Sequence, residues 1–146
     1  MMAGLLTQRN LGTDLALTAA QAALAEAKSR GYHVAVAVAD RGGQLLVLLR
    51  SDGGGAHLLD GARRKAFTAV SAHNRTSVLS KAIEERSGEP DPHLVFLENV
   101  LFVGGGVPIK AGDEIVGAIG VSGSPGSIHD EECADAGIAK IAASLK

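Results

Sequence analysis

The chain has 146 residues and a mass of 14.8 kDa, room for one domain (residues 1–146) with a real core but not for two. Hydrophobic residues at 46% and charged ones at 21% argue against disorder. Fourteen Lys and Arg against 16 Asp and Glu, with one Tyr and three Phe, argue against nucleic acid as a partner, because that needs a basic field and stacking platforms. Cys133 is the single cysteine, so an intrachain disulfide and a multi-cysteine zinc site are both out.

In chain order, Thr13 to Arg30 reads as an amphipathic helix with Leu17, Ala20, Leu24 and Ala27 on its apolar stripe, Thr13 capping the start and Gly31 closing the end. HVAVAVA (33–39) and QLLVLLR (44–50) read as two strands. Asp40-Arg41-Gly42-Gly43 between them has turn composition, which predicts an antiparallel hairpin. Both strands are apolar on both faces, which implies cover on each side by helices or by another subunit. From about Gly55 the period becomes helical, with Leu58, Leu59, Ala62, Ala66, Ala69, Val70 and His73 sharing one side. Ser77 to Arg86 reads as a second short helix and Ser87 to Pro92 as a loop. NVLFV (99–103), VPIK (107–110) and EIVGAIGV (114–121) read as three strands. Ser127 with Asp130 resembles a capping pair for a closing helix through Leu145. The expected fold is α+β, with a mainly antiparallel sheet of about five strands and helices packed on it. No apolar run reaches the roughly eighteen residues a membrane span needs, and the first twelve residues lack the charged start and long apolar centre of an export signal. The expectation is a cytoplasmic protein with no membrane partner.

Several residues can carry chemistry. Gly104, Gly105 and Gly106 in GGGVPI either cradle an anion with backbone N–H groups or make a bare tight bend; neither a Walker loop nor a dinucleotide fingerprint is present. On a helical wheel Arg63 and Lys65 flank the apolar stripe while Arg64 points away. They are either the cationic rim of a pocket with a greasy floor or a solvated helix edge. Arg50, ending the second strand, has the same two readings. None of the five histidines pairs at a metal-binding spacing, so no dedicated metal site is expected. A single axial haem ligand needs only one, and His73 draws attention because its wheel position is the centre of the apolar face, where a hydrogen-bonded core histidine is the other reading. His129 and Asp130, at the start of the last helix, are the candidate proton-transfer pair. Asp130 and Asp40 also have structural readings, as a helix-start and a turn aspartate.

VAVADRGGQLLVLLRSDG, ARRKAFTA, GGGVPI and GDEIVGAIGVSGSPGSIHDEECADAG together resemble the GlcG/HbpS-like, or haem-degrading domain, family, which includes the C-terminal domain of PduO-type adenosyltransferases. The resemblance runs from about Thr13 to Leu145. It implies a profilin-like or PAS-like sandwich with an antiparallel five-stranded sheet, assembly into symmetric homo-oligomers, and, for some members, haem binding. Asp40, Gly43, Arg50, Asp52, Lys65, Thr68, Gly105, Gly106, Pro108, Gly120, Gly123 and Asp130 match the family's signature. The acidic ExxE motif of its iron-binding secreted members is absent, since Glu84, Glu85 and Glu89 are wrongly spaced.

Two functions follow as expectations. One is an oligomeric protein that binds a small anionic, partly apolar ligand, haem being the family's candidate, in a pocket of Arg50, Arg63, Lys65, His73 and the Gly104–Gly106 bend. The other is a metal-free catabolic enzyme on a small organic acid, with His129 and Asp130 moving a proton.

Overall fold

The structure, a computed structural model, describes residues 4–85 and 91–146. Four strands, β1 (Ala35–Asp40), β2 (Leu45–Arg50), β3 (Gly106–Ala111) and β4 (Glu114–Ser122), form one antiparallel sheet in the order β2-β1-β4-β3. Four α-helices pack on it: α1 (Thr13–Ser29), α2 (His57–Ala72), α3 (Thr76–Glu84) and α4 (Ser127–Ile141).

Alternation within β1 divides the two faces. Val36 and Val38 face α1 and α4, while Ala35, Ala37 and Ala39 meet Ala62 and Ala66 of α2. Small residues on that second face bring α2 close enough that a Cβ on Gly120 would strike the carbonyl of Ala62 and come within 2.6 Å of the Ala66 nitrogen. The predicted hairpin is present. Asp40 Oδ1 accepts the N–H groups of Gly42 and Gln44 at 2.9 and 3.0 Å, a turn-forming role. The β1–β2 ladder carries an irregularity between Val38 and Ala39: Val38 pairs with Val47, but Ala39 pairs with Leu45, so β2 holds one extra residue.

Four expectations need correction. The sheet has four strands among the described residues because residues 99–103 do not join it. Leu101 N–H donates to Thr68 Oγ1 at 2.8 Å and the Val100 carbonyl accepts from Arg64 Nη2 at 2.6 Å, so α2 takes backbone groups that a strand would have offered to a neighbour. The buried side of α1 is Ala16, Ala19, Ala20, Ala23 and Ala27, rotated from the predicted stripe. Leu17 is exposed because α4 approaches closely through Gly137, whose added Cβ would lie 2.6 Å from the Ala19 carbonyl oxygen and 3.1 Å from Ala23 Cβ. Thr13 and Ser127 are first helical residues rather than caps; Gly12 and Gly126 hold those positions. His73 is not on the buried face: α2 ends at Ala72, and His73 is the exposed residue after it, in the left-handed region at φ 56. The predicted loop from Ser87 lies outside the described residues up to position 90; Pro92 begins a short 3-10 turn, Pro92–Phe96.

Candidate functional site

Three of the predicted features converge. Lys65, from the buried side of α2, donates through Nζ to Asp130 Oδ2 at 3.1 Å and to the Val121 carbonyl at 3.0 Å. Asp130, in the first turn of α4, accepts the Ser124 N–H on its other oxygen at 3.0 Å. The glycine bend wraps this pair. Gly105 sits at φ 131, and a Cβ there would strike the Val121 carbonyl oxygen and lie 3.0 Å from both Lys65 Cδ and Asp130 Cβ. A Cβ on Gly106 would strike the Lys65 carbonyl oxygen, and one on Gly104 would lie 3.0 Å from Ser127 Cβ. Lys65 and Asp130 are 3% and 4% exposed, so the bend is filled by protein. What these residues do together is lock α2, β4 and the start of α4 around a buried ion pair, in which both Asp130 oxygens are engaged.

The open cleft lies elsewhere. Between the end of α1 and the open end of the hairpin, a cavity of about 370 Å³ is lined by Leu24, Lys28, Tyr32, His33, Arg50 and Asp52, among others. Leu24 and Tyr32 give it apolar walls. Lys28 and Arg50 make no ion pair among the described residues; Arg50 is anchored by one hydrogen bond to the Gly54 carbonyl. His33 Nδ1 lies 2.9 Å from the Asp52 carbonyl oxygen. A carbonyl only accepts, so Nδ1 carries the proton and neutral His33 keeps its lone pair on Nε2. The hairpin register explains the contact, since Ala35 pairs with Arg50 and two residues further out His33 falls opposite Asp52.

The other predicted site residues are dispersed. His129 stands behind the cleft, its ring 5.8 Å from that of Tyr32; its Nδ1 is covered, 3.5 Å from Glu132 Oε1 and without a hydrogen bond. Glu132 in turn pairs with Arg30 at 2.7 Å, a contact that holds the Glu132 carboxyl below its ordinary range and, with Glu26, raises the Arg30 guanidinium. Arg63 pairs with Asp60 at 2.7 Å beside a separate cleft. His73 borders a third cavity with Arg75, Lys110 and Asp135. Arg50 is thus the one predicted ligand-binding residue at the apolar cleft. Lys28, Tyr32 and His33 complete it without having been singled out.

Residues 11–139 match the model of a family described as haem degrading protein HbpS-like. The chain belongs to the HbpS-like family. It is 34% identical to protein GlcG of Escherichia coli K12 over 97 residues, 66% of this chain and 69% of GlcG. It is 30% identical over 104 residues, 71% of this chain and 73% of the relative, to a 15.0 kDa protein from the dhaT-dhaS intergenic region of Citrobacter freundii. Among solved structures it is similar to HbpS, with TM-score 0.86, 41% identity and 95% of each chain covered. The PduOC haem complex shares the fold, with TM-score 0.82 at 24% identity over 90% of this chain and 95% of that one. Within the HbpS-like fold of this chain, Lys65, Gly105, Gly106, Gly120 and Asp130 are all committed to one tightly packed junction. No helix among the described residues is long and apolar enough to cross a membrane.

Proposed function

We propose that this HbpS-like protein binds a small anionic, partly apolar ligand, with haem the leading candidate, in the cleft between α1 and the β1–β2 hairpin. The observation that carries the reading is His33, whose imidazole is oriented by the Asp52 carbonyl so that its basic nitrogen is Nε2, at a cleft that also holds two cations with no carboxylate partner among the described residues. Such a backbone tether on the far ring nitrogen is the usual support of a metal-ligating histidine.

The residues present fit the group. His33 supplies one nitrogen ligand, Arg50 and Lys28 suit propionate carboxylates, and Leu24 and Tyr32 suit the edge of a macrocycle. A bound haem would supply an iron centre and its redox chemistry; the chain's own part is to orient the imidazole, neutralise the carboxylates and cover one edge from water. The family description and the haem complex of PduOC support haem over other anions. The free buried thiol of Cys133 fits a reducing compartment, and exposed Phe96 and Leu97 fit a homo-oligomer, so we place the protein in the cytoplasm as an assembly.

Haemin titration into the purified protein tests the reading. The expected result is a saturable, shifted Soret band, weakened about tenfold by Arg50→Gln and altered in position by His33→Ala. A spectrum that stays that of free haemin overturns haem as the ligand. A normal titration in both variants overturns the cleft as its site.

A further inference from the structure

We infer a second small-molecule site at the opposite end of β2, one that takes a compact carboxylate with an aromatic or branched apolar body. A cleft of about 270 Å³ lies between the hairpin turn and α2, lined by Gly43, Gln44, Leu45, Arg63, Phe67 and Asn99. It shares no lining residue with the His33 cleft.

Three features of this cleft are unusual for mere surface relief. The first is Arg63. Its Nη2 donates to Asp60 Oδ1 at 2.7 Å and its Nη1 to Asn99 Oδ1 at 2.9 Å. A guanidinium has five N–H donors, so three remain without a partner among the described residues, on a group already held in one orientation. Asp60 offsets part of the charge, but its side chain is 58% exposed, so solvent screens that pair and the free donors still favour an anion.

The second is Asn99, a non-glycine residue in the left-handed region at φ 69. Its side-chain oxygen is occupied by Arg63, which leaves its amide NH2, along with the Gln44 side chain, as a neutral polar group at the cleft. The third is the apolar wall. The extra residue in β2 falls between Leu45 and Val47, and Leu45, at the cleft, stays 43% exposed. Irregularities of this kind re-aim side chains beside binding sites. Opposite it, the Phe67 ring packs on the turn because Gly43, at φ 82, has no side chain; a Cβ there would lie 3.2 Å from Phe67 Cδ2.

A fixed cation with spare donors, two neutral amides and an aromatic wall in a cleft of this size suit a carboxylate on a compact body. Benzoate is the probe, with benzamide as its uncharged counterpart, followed by two-dimensional amide NMR of the full chain. Benzoate should shift the backbone amides of Gly43 and Leu45 and the side-chain amides of Gln44 and Asn99 saturably. Benzamide should bind about tenfold more weakly, and Arg63→Gln should cost benzoate about tenfold while the rest of the spectrum keeps its dispersion. If Arg63→Gln loses its fold, Asn99→Gly keeps the left-handed backbone, releases the Arg63 anchor and should weaken benzoate several-fold. Shifts confined to Arg50–Asp52, affinity indifferent to Arg63 and Asn99, or no saturable shift at millimolar benzoate each overturn the site. None of these outcomes bears on haemin, whose titration reads the other cleft.

Discussion

Removing one partner of the Lys65–Asp130 pair should unfold this protein far more readily than any surface change. The two side chains are 3% and 6% exposed. In Asp130→Ala the ammonium keeps only the Val121 carbonyl, and the Ser124 N–H loses its acceptor. Breaking a buried pair from one side costs about 3–5 kcal/mol, because it strands a charge away from water. Lys65→Met preserves the stem volume and should cost somewhat less, about 3 kcal/mol, since the remaining carboxylate still has the Ser124 N–H and the favourable first turn of α4. The double variant Lys65→Met, Asp130→Leu strands neither charge, so its loss should fall short of the sum of the singles by about 2 kcal/mol or more. Equilibrium urea denaturation gives all three values, provided the slopes agree. Single losses under about 1 kcal/mol that add in the double variant would mean the pair behaves as a solvated surface bridge, and the packed junction described above would be wrong.

Gly106→Ala should cost at least as much as Asp130→Ala, because its Cβ strikes the Lys65 backbone carbonyl, which no rotamer change can move; a thermal melt within a few degrees of the parent would refute this. Cys133 is fully buried and burial pushes its thiol above the ordinary range, so a thiol reagent should label the native protein only as fast as it opens; rapid labelling without denaturant is the contrary result. Glu114, held by Arg9 at 2.7 Å and Arg41 at 2.9 Å, has its carboxyl below the ordinary glutamate range. A carboxyl depressed in the folded state contributes stability above its unfolded pKa and loses it as pH falls through the folded one. Glu114→Gln should therefore be less stable than the parent near neutrality and converge with it in acid, and parallel denaturation curves from neutral to acid pH would refute the pair.

The elements themselves were largely legible because their periods are clean. Alternating Val and Ala over 34–39 can only be a strand with two covered faces, and the small residues on one of those faces foretell a close helix. The fifth strand failed for a reason periodicity cannot express: Arg64 and Thr68 bind the backbone of residues 100 and 101, and an apolar run so held looks the same in sequence as one in a sheet. Lys65, read as either the rim of a pocket or a solvated helix edge, proved to be inside the core. A lysine on the flank of an apolar stripe gives no sign of whether an aspartate 65 positions later will meet it.

The cleft residues were hidden by a single residue of register. Reading outward from the turn, where Asp40 N–H donates to the Gln44 carbonyl, an unbroken ladder would set His33 opposite Ser51. The extra residue beyond Ala39 shifts the pairing by one, so His33 meets Asp52 instead and its ring nitrogen finds a carbonyl. A one-residue slip in a strand exchanges its faces, so the same irregularity decides which side chains of β2 accompany Arg50 at one end and how Leu45 is presented beside Arg63 at the other. Leu46 is the residue that the ladder skips, so deleting it should leave Leu45 opposite Ala39 and Val47 opposite Val38 in an even ladder, with His33 still facing Asp52. Haemin titration of that variant should therefore match the parent's, and a folded deletion variant that no longer shifts the Soret band would show that the register alone does not make the His33 cleft.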